Sequence, residues 1–291
     1  MMGDDSLLVV GDALMDVIVP FERFNEGSVH HATIDMVAGG LGNTAVWCSR
    51  LGVKTFFAGV VSDDTFGKAY EDDLHSEGVT SSLIKTKGKT GVCLSLVHGG
   101  GQRSMIVDRG VNDDIDAWKV ADDAFDNAVW IYFSGYSLIN EGLQERFLKM
   151  AEKAKGSGKK LVFNGGDHNI ITKNREAFLR MMEHVNVLVL NEEEAKALTE
   201  TNEIDDTCTI LDELVGTYIV TLGPKGSIGS EGKEQIESKA CDVEKVMDTT
   251  GAGDAFTAGL IAGLMQGKDI RGACELGHET ASKVITRMGA R

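Results

Sequence analysis

The chain has 291 residues, 42% hydrophobic and 25% charged, a balance that excludes a disordered or fibrous polymer and fits one or two globular domains. Its 29 Lys and Arg stand against 45 Asp and Glu, a formal net charge of −16, so nucleic acid and anionic lipid are poor partners. Gly is abundant at 35 and Pro scarce at 2, which assigns the glycines to turns and close backbone approaches.

In chain order, the first apolar run is 7–10, behind Asp4 and Asp5. It is too short, and its flank too acidic, for a signal peptide. It reads instead as a buried strand, as do 55–61, 128–134, 160–163, 186–190 and 217–221. Between them, 66–76, 141–155 and 192–199 have amphipathic helical spacing. Strand–helix alternation predicts a mainly parallel sheet with helices on both faces. Two segments break that rhythm. One is 16–37; the other is 91–109, where two β-rich runs flank Gly99-Gly-Gly-Gln102 as a hairpin. Both are expected to form a small β lid on one α/β domain spanning 1–291, since no repeat or linker divides the chain. The five cysteines (48, 93, 208, 241 and 274) are odd in number and never C-x-x-C spaced. That predicts neither disulfides nor zinc and places the chain in a reducing cytoplasm. No apolar run approaches the roughly 18 residues of a membrane helix.

The segment richest in chemistry is 248–256, Asp-Thr-Thr-Gly-Ala-Gly-Asp-Ala-Phe. Phe256, Leu260 and Leu264 fall four apart, the stripe of a buried helix. Gly251, Ala252 and Gly253 therefore open that helix, where small residues and the dipole bring backbone N–H groups to an anion. Asp254 would repel a phosphate unless it has a task. The task that fits is general base toward a hydroxyl attacking phosphorus. The plainer alternative is a first-turn acid complementing the dipole. The Walker sequence is absent, because Leu83 stands where its first Gly belongs before Gly88-Lys89-Thr90. The dinucleotide fingerprint fails too, with Phe256 at its third Gly.

This string resembles the C-terminal signature of the ribokinase (PfkB) carbohydrate kinase superfamily, and the resemblance runs nearly the whole chain. Gly11-Asp12-Ala-Leu-Met-Asp16 resembles the first strand-loop, and 38–45 and 49–52 the glycine-rich substrate loop. Asn191-Glu-Glu-Glu194 resembles the N-x-x-E motif, Thr221-Leu-Gly223-Pro-Lys-Gly226 the nucleotide loop, and 285–290 the segment closing the adenine end. The resemblance implies a ribokinase-like three-layer sandwich with a small β lid. It also implies transfer of the γ-phosphoryl group of ATP, with Mg²⁺, to a primary hydroxyl of a sugar or sugar-like substrate. Asp16, Gly39, Gly40 and Asn43 would hold the substrate. Asn191 and Glu194 would carry magnesium through water, as suits an ion that keeps its hydration. Thr221, Gly223 and Gly226 would meet the nucleotide. His278 is either an adenine contact or a helix-surface histidine. Asp248 and Thr250 match positions that bind a monovalent cation in some members, which adds K⁺ as a second ion.

Departures shape the substrate reading. Ribokinases tend to carry a Glu where this chain has Ser134-Gly135, so it looks more like ketohexose and keto-deoxy sugar-acid kinases. Arg109, at the end of a lid strand, either pairs with a substrate carboxylate or phosphate or is simply solvated. Phe21, Phe24 and Met36 keep a nucleoside kinase in view. A non-catalytic metabolite-binding protein on the same fold is the rival from another class. The turn Asn164-Gly-Gly-Asp167 departs from the family's D-P-N type and has no reading by analogy. The lid's apolar face points to a homodimer formed through it.

Overall fold

The computed structural model describes residues 5–20, 31–97, 103–120 and 122–291. In chain order these form β1 (Ser6–Val10), β2 (Ala13–Pro20), β3 (Asp35–Gly40), α1 (Gly42–Arg50), β4 (Lys54–Ser62), α2 (Thr65–Ser76), β5 (Thr80–Thr86), β6 (Gly91–Val97) and β7 (Arg103–Asp108). Then come α3 (Asp122–Asn127), β8 (Ala128–Ser134), α4 (Glu141–Gly156), β9 (Lys160–Asn164), α5 (His168–Met182), β10 (Val187–Asn191), α6 (Glu192–Thr199) and α7 (Ile204–Leu214). The chain ends with β11 (Thr217–Thr221), β12 (Ser227–Glu231), β13 (Glu234–Ser238), α8 (Ala252–Met265) and α9 (Ile270–Ile285).

The large sheet has the order β13-β12-β11-β10-β9-β8-β1-β4-β5. It is parallel from β11 to β5, and β12 and β13 extend it antiparallel. Period-two alternation places one side chain on each face in turn. Leu7 and Val9 of β1, Val162 of β9, Val189 of β10 and Ile219 of β11 pack against α1, α2, α8 and α9. Leu8, Val10, Leu161, Phe163, Leu188 and Val220 face α3 to α7. The near-continuous apolar strands are thus buried on both sides, and the chain is a three-layer α/β sandwich.

The second sheet, of order β3-β2-β6-β7, is the expected lid. It reaches further than the sequence reading of 16–37 and 91–109, because β2 begins at Ala13 and β3 runs to Gly40. The reason is local. Gly39 and Gly40 pair with Leu14 and Ala13, so the glycines expected as a loop end a strand instead. The β6–β7 hairpin is antiparallel as predicted; its glycine turn, and Phe21 and Phe24, lie outside the described residues. The lid is tied to the body at its crossings. Asn112 accepts from Ala13 N at 2.9 Å and donates to Ala13 O at 3.0 Å. Asp64 caps α2 through Gly67 N at 2.8 Å and takes Thr90 N at 2.9 Å. The uninterpreted turn before α5 also resolves. Asp167 is the helix cap, accepting from Asn169 N and Ile170 N.

Candidate active site

A cavity of about 510 Å³ lies between the lid and the C-terminal edge of the parallel strands, where open α/β sheets place their ligands. Asp254, Gly251 and Gly253 line it from the start of α8. Gly251 is the helix cap with φ 76°, and a Cβ there would lie 2.6 Å from that of Ala290, so only glycine fits. Gly253 has open space where its Cβ would stand. Ala252 is the first helical residue. Ala252 N donates to Thr249 O at 3.2 Å; the next first-turn N–H groups have no partner within the helix, a place that can receive an anion.

Asp16 comes from the lid strand β2, buried at 8% exposure. Asn43, from α1, donates to it through Nδ2 at 3.4 Å. Gly39 has a different purpose from the one its motif implied. A Cβ there would sit 2.0 Å from the Asp16 carboxyl carbon, so this glycine makes room for the acid. Gly40 has φ 57°, and its Cβ would meet Asp12 O at 2.4 Å. Three buried polar atoms on the cavity wall, Asn43 Oδ1, Ser95 Oγ and Ser134 Oγ, have no partner among the described residues. Such atoms are costly to bury without a partner.

Asn191 and Glu194 close a capping box. Glu194 N donates to Asn191 Oδ1 at 2.8 Å, and Asn191 N to Glu194 Oε2 at 2.9 Å. Both residues line the cavity. Burial pushes the Glu194 carboxyl up to about 7, against the pull of the Asn191 N–H, and Asp167 adds to the rise. No group of three or more His, Cys, Asp or Glu is placed to hold a metal among the described residues. Thr221 also lines the cavity. Gly223 (φ 59°) and Gly226 (φ 99°) shape the turn after β11 beyond its wall.

Three expected residues are placed otherwise. Arg109 lines the cavity, but its guanidinium is forked onto buried Asp12 and reaches Asp113 at 2.7 Å. It holds a lid strand's end to the β1–β2 link instead of standing ready for a ligand anion. His278 is not a helix-surface residue. It is buried at 7% exposure, 2.9 Å from Ser227 Oγ and 4.9 Å from the Phe256 ring, off the cavity wall. Asp248 is fully buried; it accepts from Thr250 N at 2.8 Å through one oxygen and from Gly289 N at 2.9 Å through the other. It thereby staples the α8 approach to the segment after α9. The sequence reading missed Thr44, whose hydroxyl donates to Asp254 Oδ1 at 2.9 Å, and the cavity-lining Tyr132 and Tyr136. Spacing carries no signal for a contact that spans 210 positions.

An acid at an anion-binding helix start, facing polar atoms fit for hydroxyls, defines a phosphotransferase with an alcohol acceptor. Residues 4–291 match the pfkB family carbohydrate kinases, and the chain belongs to that family. An uncharacterised sugar kinase of Archaeoglobus fulgidus is 31% identical over 251 residues, covering 84% of this chain and 96% of its own. The adenosine kinase of Sinorhizobium meliloti superposes with a TM-score of 0.90 at 26% identity, over 99% of this chain and 96% of that one. The ribokinase of Arabidopsis thaliana complexed with ribose and ATP gives 0.80 at 27% identity, over 98% and 94%. The chain is a sugar or nucleoside kinase of ribokinase fold. No helix among the described residues is long and apolar enough to cross a membrane.

Proposed function

We propose that the protein uses ATP to phosphorylate the primary hydroxyl of a neutral sugar-bearing compound, a nucleoside ahead of a free ketohexose. The carrying observation is that Asp254, the α8 N-terminus and the Asp16–Asn43 pair face one cavity. In this reading Asp16 and Asn43 take the sugar hydroxyls, and Asp254 accepts the proton of the attacking hydroxyl. The amides of Gly251, Ala252 and Gly253 stabilise charge on the transferring phosphoryl group. Thr221, Gly223 and Gly226 lie toward the nucleotide; His278 and Arg109 have no ligand contact in it.

The choice among acceptors rests on the wall's chemistry. Among the described residues Arg109 is its sole cation, already spoken for by Asp12, while Asp12, Asp16, Glu194 and Asp254 are its acids. A keto-deoxy sugar acid, favoured beside ketohexose by Ser134-Gly135, would have no cation to meet its carboxylate. Ile18, Met105, Val107, Tyr136 and Ile139 add apolar wall, which suits a flat base better than a second polyol. The adenosine kinase likeness leans the same way.

Glu194 and Asp254 beside a triphosphate also call for a cation. The raised Glu194 carboxyl, with Asn191 beside it, fits a hydrated Mg²⁺, which would neutralise charge on the phosphates. Potassium is not part of this reading. The five cysteines, none of them in a disulfide, suit a cytoplasmic setting. Two copies are proposed to pair through the outer lid face.

The test is ADP release with Mg²⁺-ATP across nucleosides, ketohexoses, pentoses and keto-deoxy acids. Turnover is expected with neutral acceptors, nucleosides giving the highest kcat/KM, and it should stop with chelator. Asp254→Asn should lower kcat by about 10²- to 10⁴-fold with ATP binding kept. ATP binding without turnover on any acceptor would make the chain a metabolite-binding protein instead.

A further inference from the structure

We propose that Thr44 is a positioning residue for Asp254. The inference rests on the reading of Asp254 as the base. Thr44 is the third residue of α1 and Asp254 the third of α8. Thr44 Oγ1 donates to Asp254 Oδ1 at 2.9 Å. One turn further along both helices, Cys48 Sγ approaches Ala258 O at 3.8 Å. Two successive contacts, each four residues on, fix the register of the two helix starts. The hydroxyl is therefore delivered by packed backbone, not by a wandering side chain.

The residue type fits the task. Thr44 is fully buried, where a hydroxyl without a partner would be costly. A helical threonine ordinarily turns its hydroxyl back to its own helix, whereas this one crosses to another element. The pair Thr44 to Asp254 joins α1 and α8 at the reacting carboxylate.

A carboxylate with one oxygen pinned cannot spin about its last torsion. The oxygen that receives the substrate proton is then presented before the substrate arrives, which is where preorganised groups gain most. α1 also follows lid strand β3 after one residue, Leu41. The helix that carries the substrate residue Asn43 is thus the one that aligns the base.

The test is steady-state kinetics on whole, folded protein, with the best acceptor from the panel and Asp254→Asn in parallel. Thr44→Val keeps the shape and removes the hydroxyl. Its kcat should fall on the order of tenfold, as for loss of one hydrogen bond to a charged group, with KM for ATP and acceptor within about twofold. Thr44→Ser should recover most of the rate. Should Thr44→Val fold badly, Thr44→Ala and Thr44→Ser carry the same comparison. Wild-type kcat in folded Thr44→Val or Thr44→Ala would overturn the inference, as would a serine variant as slow as valine, which would mean packing alone. If Asp254→Asn is itself unimpaired, the base assignment has failed; if it is impaired and Thr44→Val is not, only the positioning role has.

Discussion

Glu194 carries two demands that pull against each other. Its backbone N–H and carboxylate cap α6 with Asn191, while its burial at 4% exposure penalises the charge. The carboxyl is raised to about 7, above the unfolded value of about 4.3. Between those two values the native chain holds a proton that the unfolded chain has lost. Unfolding then releases a proton, so stability falls as pH rises through this window. For the metal-free protein the loss approaches about 3 kcal/mol at full shift. The melting temperature of wild type should therefore decline from about pH 5 to pH 7.5 more steeply than that of Glu194→Gln, which keeps the cap acceptor without a titrating charge. Parallel curves for the two proteins would remove the buried charge from the account. At this scale the sequence carries Asp254, Asp16, Asn191 and Glu194 in short local strings that resemble family motifs, and all four line one cavity. It could not name Thr44 or reassign Arg109, because the partners Asp254 and Asp12 are 210 and 97 positions away.

Strands and helices were legible where one chain segment states its own environment. Strands buried on both faces read as continuous apolar runs, and β8 and β11 fall at 128–134 and 217–221 as expected. Edge strands such as β5 and β13 alternate or carry charge, and they were passed over. The end of β3 was misjudged for a related reason: Ala-Gly-Gly reads as a turn, yet its glycines answer to side chains on other strands. Gly39 is the clearest case, since its missing Cβ leaves the volume that the Asp16 carboxylate fills. Gly39→Ala should consequently behave like a displaced Asp16. Acceptor KM should rise by about tenfold or more, the scale of a lost hydrogen bond to a charged group. KM for ATP should hold, because the residues proposed for the nucleotide, Asn191 and Thr221, lie on β10 and β11 and not on the lid. Isothermal titration of each ligand separates these. Equal loss of both would mean that the substitution collapses the lid, not the acid's seat.

The whole molecule poses a question of covering. Cross-strand register sets Val17 beside Met36 on one side and Leu94 on the other, and Leu94 beside Ile106. This row lies on the lid face turned away from Asp16, Cys93 and Val107, with Met36 57% and Ile106 62% exposed. Four apolar side chains in line across a sheet make a surface that a second copy would bury. Each copy, however, carries a formal charge of −16, so two of them repel over a Debye length of about 10 Å at 0.1 M salt. Apolar contact is not weakened by salt, whereas the repulsion is screened. Pairing through the lid should therefore strengthen as salt rises, the reverse of an interface built from ion pairs. Light scattering on the eluting protein should give a mass near twice 31.2 kDa at about 0.5 M salt, and a lower weighted mass at low salt and protein concentration. Ile106→Glu, placing a charge in the row, should return the mass to that of one chain at every salt concentration. A monomer throughout for wild type, or a dimer indifferent to Ile106→Glu, would put the interface elsewhere or remove it.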